Sequence, residues 1–204
     1  MLRNSRSTFG WVTIVLHWAI AALILGLIAL GFAMRRLSLD PALQFSLYQW
    51  HKSFGFTVLA LAALRAAWHL LERKPEATAG LSPLERQASA TTHVVLIVLT
   101  LAVPLAGWAV ASTSTLNIPS FYFDWFVIPH LPMAKSEAAE TVWTSTHAIL
   151  AYVMLTLVLV HALAALYHHI IRRDEVLARM LTLRQRRHGE IEKASGAPLV
   201  AKRK

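Results

Sequence analysis

Long apolar stretches alternate with short polar ones along the whole chain. Four runs stand out: Trp11 to Met34, about Tyr48 to Leu71, Ala88 to Ala111 and about Val142 to Ile171. A bilayer core of about 30 Å needs roughly 20 apolar residues in a helix, so each run can cross a membrane. The first, third and fourth hold no formal charge, and the second is interrupted only by Lys52 and Arg65. Pro104 should bend the third helix rather than end it, because neighbouring helices can satisfy the freed carbonyl. The pattern predicts an all-α, integral membrane four-helix bundle over residues 1–180 and a polar, basic tail over 181–204. No internal repeat or low-complexity linker interrupts it.

Arg3 and Arg6 before the first run, and Gly31-Phe32-Ala33 at its end, resemble a cleaved signal peptide. The run is longer than the 7–15 residues of a usual signal core, so it reads as a retained helix. Lys and Arg then set the topology. Two lie in the N-terminal tail, three between spans two and three, and ten from Arg172 to Lys204, against Arg35, Arg36 and Lys135 on the opposite side. Both termini are therefore expected in the cytoplasm. Six of the seven tryptophans (11, 18, 50, 68, 108 and 143) fall near span ends, as an interfacial belt does. The longest outward loop, Ser112 to Thr141, carries Phe121-Tyr122-Phe123-Asp124-Trp125-Phe126. That segment is too short to span and reads as an interfacial anchor, a docking surface being the alternative.

Composition agrees. Of 204 residues 56% are hydrophobic and 15% charged, where a soluble domain has about 25% charged. A net charge of +9 invites a nucleic-acid reading, but half of the 20 Lys and Arg sit in the tail. A basic tail beside a membrane helix is an anchor on anionic lipid, and no nucleic-acid partner is expected. Cysteine is absent, which excludes disulfides, iron–sulfur clusters and thioether-attached haem. Histidine, with ten copies, is left as the metal ligand.

Five histidines lie inside the spans: His17, His51, His93, His147 and His161. Polar residues in a membrane usually face the bundle interior. At 1.5 Å per residue they sort into two tiers. His51 and His147 lie near the outer ends of their spans. His17, His161 and, at similar depth, His93 lie near the cytoplasmic ends. A fourteen-residue interval, two heptads on one helical face, recurs as His17 and Gly31, His51 and Arg65, His93 and Gly107, His147 and His161. Gly31, Gly107 and Gly55, one turn after His51, would let a flat macrocycle approach the backbone. Arg65, at the inner tier, would find a partner in a haem propionate. Imidazoles at one level on different helices suit the two axial positions of haem iron. Interhelical hydrogen bonds would not require matched depths, and zinc transport lacks midplane carboxylates, since all 11 Asp and Glu lie outside the spans. His69, His130 and His188 read as interfacial or solvated residues.

These residues resemble the prokaryotic cytochrome b561 family. The matching pieces are Val15-Leu16-His17-Trp18, His51-Lys52-Ser53-Phe54-Gly55, Thr92-His93-Val94 with Pro104 and Gly107, Thr146-His147, and His161 followed by Ala165-Leu166-Tyr167-His168-His169. The likeness covers Phe9 to about Met180. It implies a bacterial inner-membrane cytochrome with two b haems, the inner held by His17 and His161, the outer by His51 and His147. It also implies electron exchange between a periplasmic-side redox partner and the quinone pool, ubiquinone being the expected substrate, and some members pass electrons from superoxide. The alternative is the cytochrome b anchor subunit of a dehydrogenase or hydrogenase. Residues Ile118 to Met133 differ in length from the loops of superoxide-oxidising members, which leaves the donor open. His93 reads as a quinone contact or a substitute ligand, and His168 as a quinone contact, a proton donor or a surface residue. Lys52 would neutralise a propionate or snorkel to the surface. The oligomeric state is not legible.

Overall fold

The computed structural model describes residues 2–5, 8–72, 75–76 and 80–181 of the chain. Four long helices dominate it: α1 (Trp11–Arg36), α2 (Pro41–Leu71), α3 (Pro83–Thr113) and α4 (Glu137–Tyr167). All four are long and apolar enough to cross a bilayer. Leu25, Phe32, Val98, Ile149, Val153, Val160 and Leu163 are among the large apolar side chains exposed on their outer faces. Water would not tolerate such a continuous coat, whereas lipid requires it. The chain is a membrane four-helix bundle.

The helices outrun the apolar stretches because capping chemistry, not hydropathy, sets their ends. Asp40 accepts the backbone N–H groups of Ala42 (2.9 Å) and Leu43 (3.3 Å), with Pro41 in the first turn, so α2 starts seven residues before the apolar run. Ser82 and Glu85 form a reciprocal capping box before α3. Ser136 accepts the Ala139 N–H to open α4. Pro104 lies inside α3 without ending it.

Sequential helices pack side by side, α1 on α2, α2 on α3 and α3 on α4. Their shared core is shallow: Ile20, Ile24, Val58, Leu99, Val103 and Met154. Ile24, Val58, Thr100 and Met154 each stand seven residues after a span histidine, and all four are buried. One packed layer therefore separates the two histidine tiers.

The loop after α3 holds a feature absent from the helical pattern, an antiparallel hairpin of β1 (Ser120–Tyr122) and β2 (Phe126–Ile128) with Phe121 opposite Val127. Its turn puts Phe123 and Asp124 at φ 47° and 60°, and the Trp125 N–H bonds the Tyr122 carbonyl at 3.0 Å. Positive φ at a phenylalanine is uncommon, so the surroundings must hold it. They do, through α2. The Ser53 hydroxyl meets the Phe121 carbonyl at 2.8 Å and the Phe123 N–H at 3.1 Å, and Phe54 packs edge-on against Phe123. Gln49 bonds the Pro119 carbonyl and the Phe121 N–H, and Thr57 bonds the Tyr122 hydroxyl. The hairpin is thus strapped to the first half of α2, at the end of the bundle away from the chain termini, with Trp125 at its tip 81% exposed.

At the other end the chain beyond α4 becomes a π-helix (His168–Arg172) and then a short α5 (Ala178–Leu181). Trp18 Nε1 donates to the Met180 carbonyl at 2.8 Å, tying α5 to α1. Arg3 pairs with Glu72 at 3.3 Å at this same end. Both terminal segments therefore share one face of the bundle. The expected basic tail lies, beyond Leu181, outside the described residues.

Ser53 is fully buried beneath the hairpin. Ser53→Ala leaves two hairpin backbone groups without a partner, at about 1–3 kcal/mol each. Backbone amides of residues 120–128 should then exchange with deuterium at least about tenfold faster, as read by mass spectrometry, while the cores of α1 and α4 keep wild-type protection.

Candidate functional site

Histidine side chains meet at two levels of the bundle. At the hairpin end, the outer level of the expected topology, His51 of α2 and His147 of α4 have ring centres 6.2 Å apart, their planes at 80°. At the terminal-face level His17 of α1 and His161 of α4 stand 6.3 Å apart at 72°. His93 of α3 joins them, 5.2 Å from His161, and is the most open of the five.

These separations can be tested against a metal between two rings. An imidazole nitrogen lies about 1.1 Å from its ring centre and binds a metal at about 2 Å, so two axial imidazoles stand about 6 Å apart, centre to centre. The 6.2 and 6.3 Å pairs have that spacing, and the His93–His161 pair is about 1 Å too close for it. No group of three or more His, Cys, Asp or Glu able to hold a metal occurs among the described residues. Two-ligand levels suit a metal already held in a macrocycle better than a bare ion. The Nδ1 atoms of His17 and His51 are also buried without a hydrogen-bond partner, which a ring serving only internal hydrogen bonding would avoid.

His147 shows how a ring is aimed. Its Nδ1 lies 2.9 Å from the Val103 carbonyl of α3, which can only accept, so Nδ1 carries the proton and Nε2 keeps its lone pair. Gly107 makes this approach feasible. A Cβ there would stand 3.1 Å from His147 Cε1 and 3.2 Å from Nδ1, tighter than ordinary contact. The space expected to admit a macrocycle at Gly107 is thus taken by the imidazole itself. A Cβ at Gly31 would sit at 3.7 Å, ordinary contact distance, from His51 Cε1, and one at Gly55 would meet nothing within 4 Å. Of the three glycines, Gly55 has the open space that a flat macrocycle would need.

Arg65 stands among the inner histidines, its charge acting on His17, His93 and His161. It makes no ion pair with a carboxylate among the described residues. A half-buried cation without an acid fits an anionic group brought by a ligand. Lys52 instead donates to the Pro119 carbonyl at 2.9 Å, so its ammonium helps tether the hairpin. His130, expected in solvent, is half-buried and its Nε2 lacks a partner. His188 lies outside the described residues.

On the terminal face His168 pairs with Asp174 at 2.5 Å, a partner the sequence did not signal. Burial works against the Asp174 carboxylate, but the His168 hydrogen bond, the Val176 N–H and the Arg172 charge hold its pKa below the usual aspartate value. Other contributors missed from sequence are the Val103 carbonyl, which no side-chain pattern reports, and Gln49 and Ser53. The last two stand four residues apart on one face of α2 and were readable as a polar stripe.

A model of the family described as prokaryotic cytochrome b561 matches residues 8–183. The chain belongs to that family. It is a haem-bearing, multi-pass protein of the bacterial inner membrane, and the family's b-type haem agrees with the paired imidazoles. Among curated relatives of this cytochrome, "Cytochrome b561 homolog 2" of Escherichia coli (strain K12) is 28% identical over 178 residues, covering 87% of this chain and 93% of that protein. "Probable superoxide oxidase CybB" of Yersinia pestis is 27% identical over 177 residues, covering 85% and 95%.

Gly107→Ala in the cytochrome should press on the His147 ring and break its bond to Val103. The purified variant is expected to lose haem absorbance relative to protein, while Gly26→Ala, where a Cβ meets nothing within 4 Å, keeps the wild-type ratio.

Proposed function

We propose that this cytochrome carries electrons between a redox partner at its outer face and the membrane quinone pool through two b haems, one at each histidine level. The observation that carries the reading is the recurrence of one imidazole spacing, 6.2 and 6.3 Å, at both levels. His51 and His147 would hold the outer haem, and His17 and His161 the inner. Haem held between two histidines would supply a one-electron couple and leave no open site for oxygen.

The chain's own residues do the rest. The Val103 carbonyl and Gly107 set the His147 ring so that Nε2 faces the metal. Arg65 would neutralise a propionate of the inner haem, where hydrocarbon would otherwise leave both charges unscreened. Histidines on one face of α4, fourteen residues apart, put the levels about 21 Å from each other along that helix. The buried layer of Ile24, Val58, Thr100 and Met154 excludes water between them.

Quinone exchanges electrons at the inner level, on the terminal face. His93, too close to His161 to share a metal with it, offers a hydrogen bond to a quinone carbonyl, and His168 exchanges the proton. The terminal face is cytoplasmic by its basic charge. At the outer face the relative described as a probable superoxide oxidase supports superoxide as a donor of one electron.

Pyridine haemochrome analysis should give two b haems per chain. His51→Ala or His147→Ala should remove one, His17→Ala or His161→Ala the other, and a single haem in the wild type would overturn the reading. His93→Ala should retain both while slowing haem reduction by a short-chain quinol. Superoxide should reduce the haems from the outer side. If it does not, and the protein from native membranes carries a stoichiometric partner, the cytochrome is the anchor subunit of a larger enzyme.

A further inference from the structure

The helix carrying two of the span histidines ends in an unusual way. Beyond Tyr167, α4 widens into the π-helix, and Arg173 then adopts φ 53°, ψ 35°. The N–H groups of Arg173 and Asp174 both return to the His168 carbonyl, the second at 3.1 Å. A π-turn and a left-handed non-glycine residue are each disfavoured, and both occur often at functional sites. Together they fold the chain back so that Asp174 lies against His168.

The contact they create is well defined. Asp174 Oδ2 is 2.5 Å from His168 Nδ1, with the side chains 16% and 15% exposed. The other carboxylate oxygen accepts the Val176 N–H at 3.1 Å, which fixes the plane of the group. Tyr167 packs edge-on against the imidazole. Arg172, the obvious competitor for the carboxylate, is engaged elsewhere, on Glu85 at 2.6 Å and the Gly80 carbonyl at 2.9 Å.

We propose that Asp174 is a positioning residue that holds the His168 imidazole with Nδ1 as donor, leaving Nε2 to exchange protons with a quinone bound at the inner level. The inference rests on the quinone reading above and adds the group that fixes the proton's route. A carboxylate accepts only, so the Asp174 contact requires Nδ1–H and assigns proton exchange to Nε2. His168 stands seven residues, two turns or about 10 Å, past His161 on the same helical face. The charged groups facing it are Asp174 and Arg172 from its own segment and Glu85 from α3. Oxidation of one quinol releases two electrons and two protons. The two electrons would leave singly, each to the one-electron couple that a bound haem would supply. Each proton leaves a quinol hydroxyl for Nε2 and passes to water on the terminal face before the next arrives. Quinone reduction runs the same steps backward.

The test uses the full-length cytochrome with its haems bound, reduced in a stopped-flow instrument by a short-chain benzoquinol in H2O and in D2O. D174N should slow reduction by at least about tenfold, the lower part of what a positioned acid or base contributes, and raise the solvent isotope effect. D174E should recover most of the rate. H168Q should slow it at least as much, and D174N/H168Q should be no slower than H168Q alone. Reduction by dithionite and the haem spectrum should not change in D174N. A wild-type quinol rate in D174N beside a slow H168Q overturns the role of Asp174 and leaves the quinone reading standing. A wild-type rate in H168Q overturns both the inference and quinone contact at this face. Loss of haem or thermal stability in D174N, with the rate per remaining haem unchanged, assigns Asp174 to the fold alone and also overturns the inference.

Discussion

An imidazole in hydrocarbon must find a partner, and that requirement organises this molecule. Water is absent from the bilayer core, so the paired histidines turn inward and each meets whatever lies at its own depth. Because α4 carries two of them fourteen residues apart, it contributes a ring to both levels. The other helices supply the opposite rings from α1 and α2, and α3 contributes support instead: a carbonyl at Val103 and a notch at Gly107. The thin apolar core follows from the same division of labour, with the middle of the bundle packed and its two ends given to chemistry.

The spans and the two histidine levels were legible because both depend on one-dimensional facts. A run of apolar residues has to be about 20 long, and residues two heptads apart share a face whatever surrounds them. The spacing of the rings was not legible, since hydropathy carries no lateral distance. Nor was the use of Gly107. The sequence marks a missing side chain but not what enters the space, and His147 does so from forty residues away.

The ends of the bundle were read less well, for local reasons. Helix starts at Pro41, Pro83 and Glu137 depend on caps in polar segments where hydropathy has already fallen. The hairpin carries no Asn-Gly or similar turn signal. Its turn is held by Ser53 and Phe54 from a distant helix, so its geometry is tertiary rather than local. The pairing of His168 with Asp174 needs a π-turn, and helical periodicity points Asp174 elsewhere.

The packed layer of Ile24, Val58, Thr100 and Met154 holds no titratable side chain, and the one hydroxyl in it, on Thr100, is bonded to the Ile97 carbonyl at 2.8 Å. No side chain of this layer can take up and pass on a proton. In the two-haem reading an electron passing between the levels therefore travels uncompensated, and the bundle behaves as a small capacitor set across the membrane dielectric. Such a transfer is electrogenic over part of the bilayer, where a full crossing is worth about 2.3 kcal/mol per 100 mV. The resting voltage of the cell would then bias which haem holds the electron.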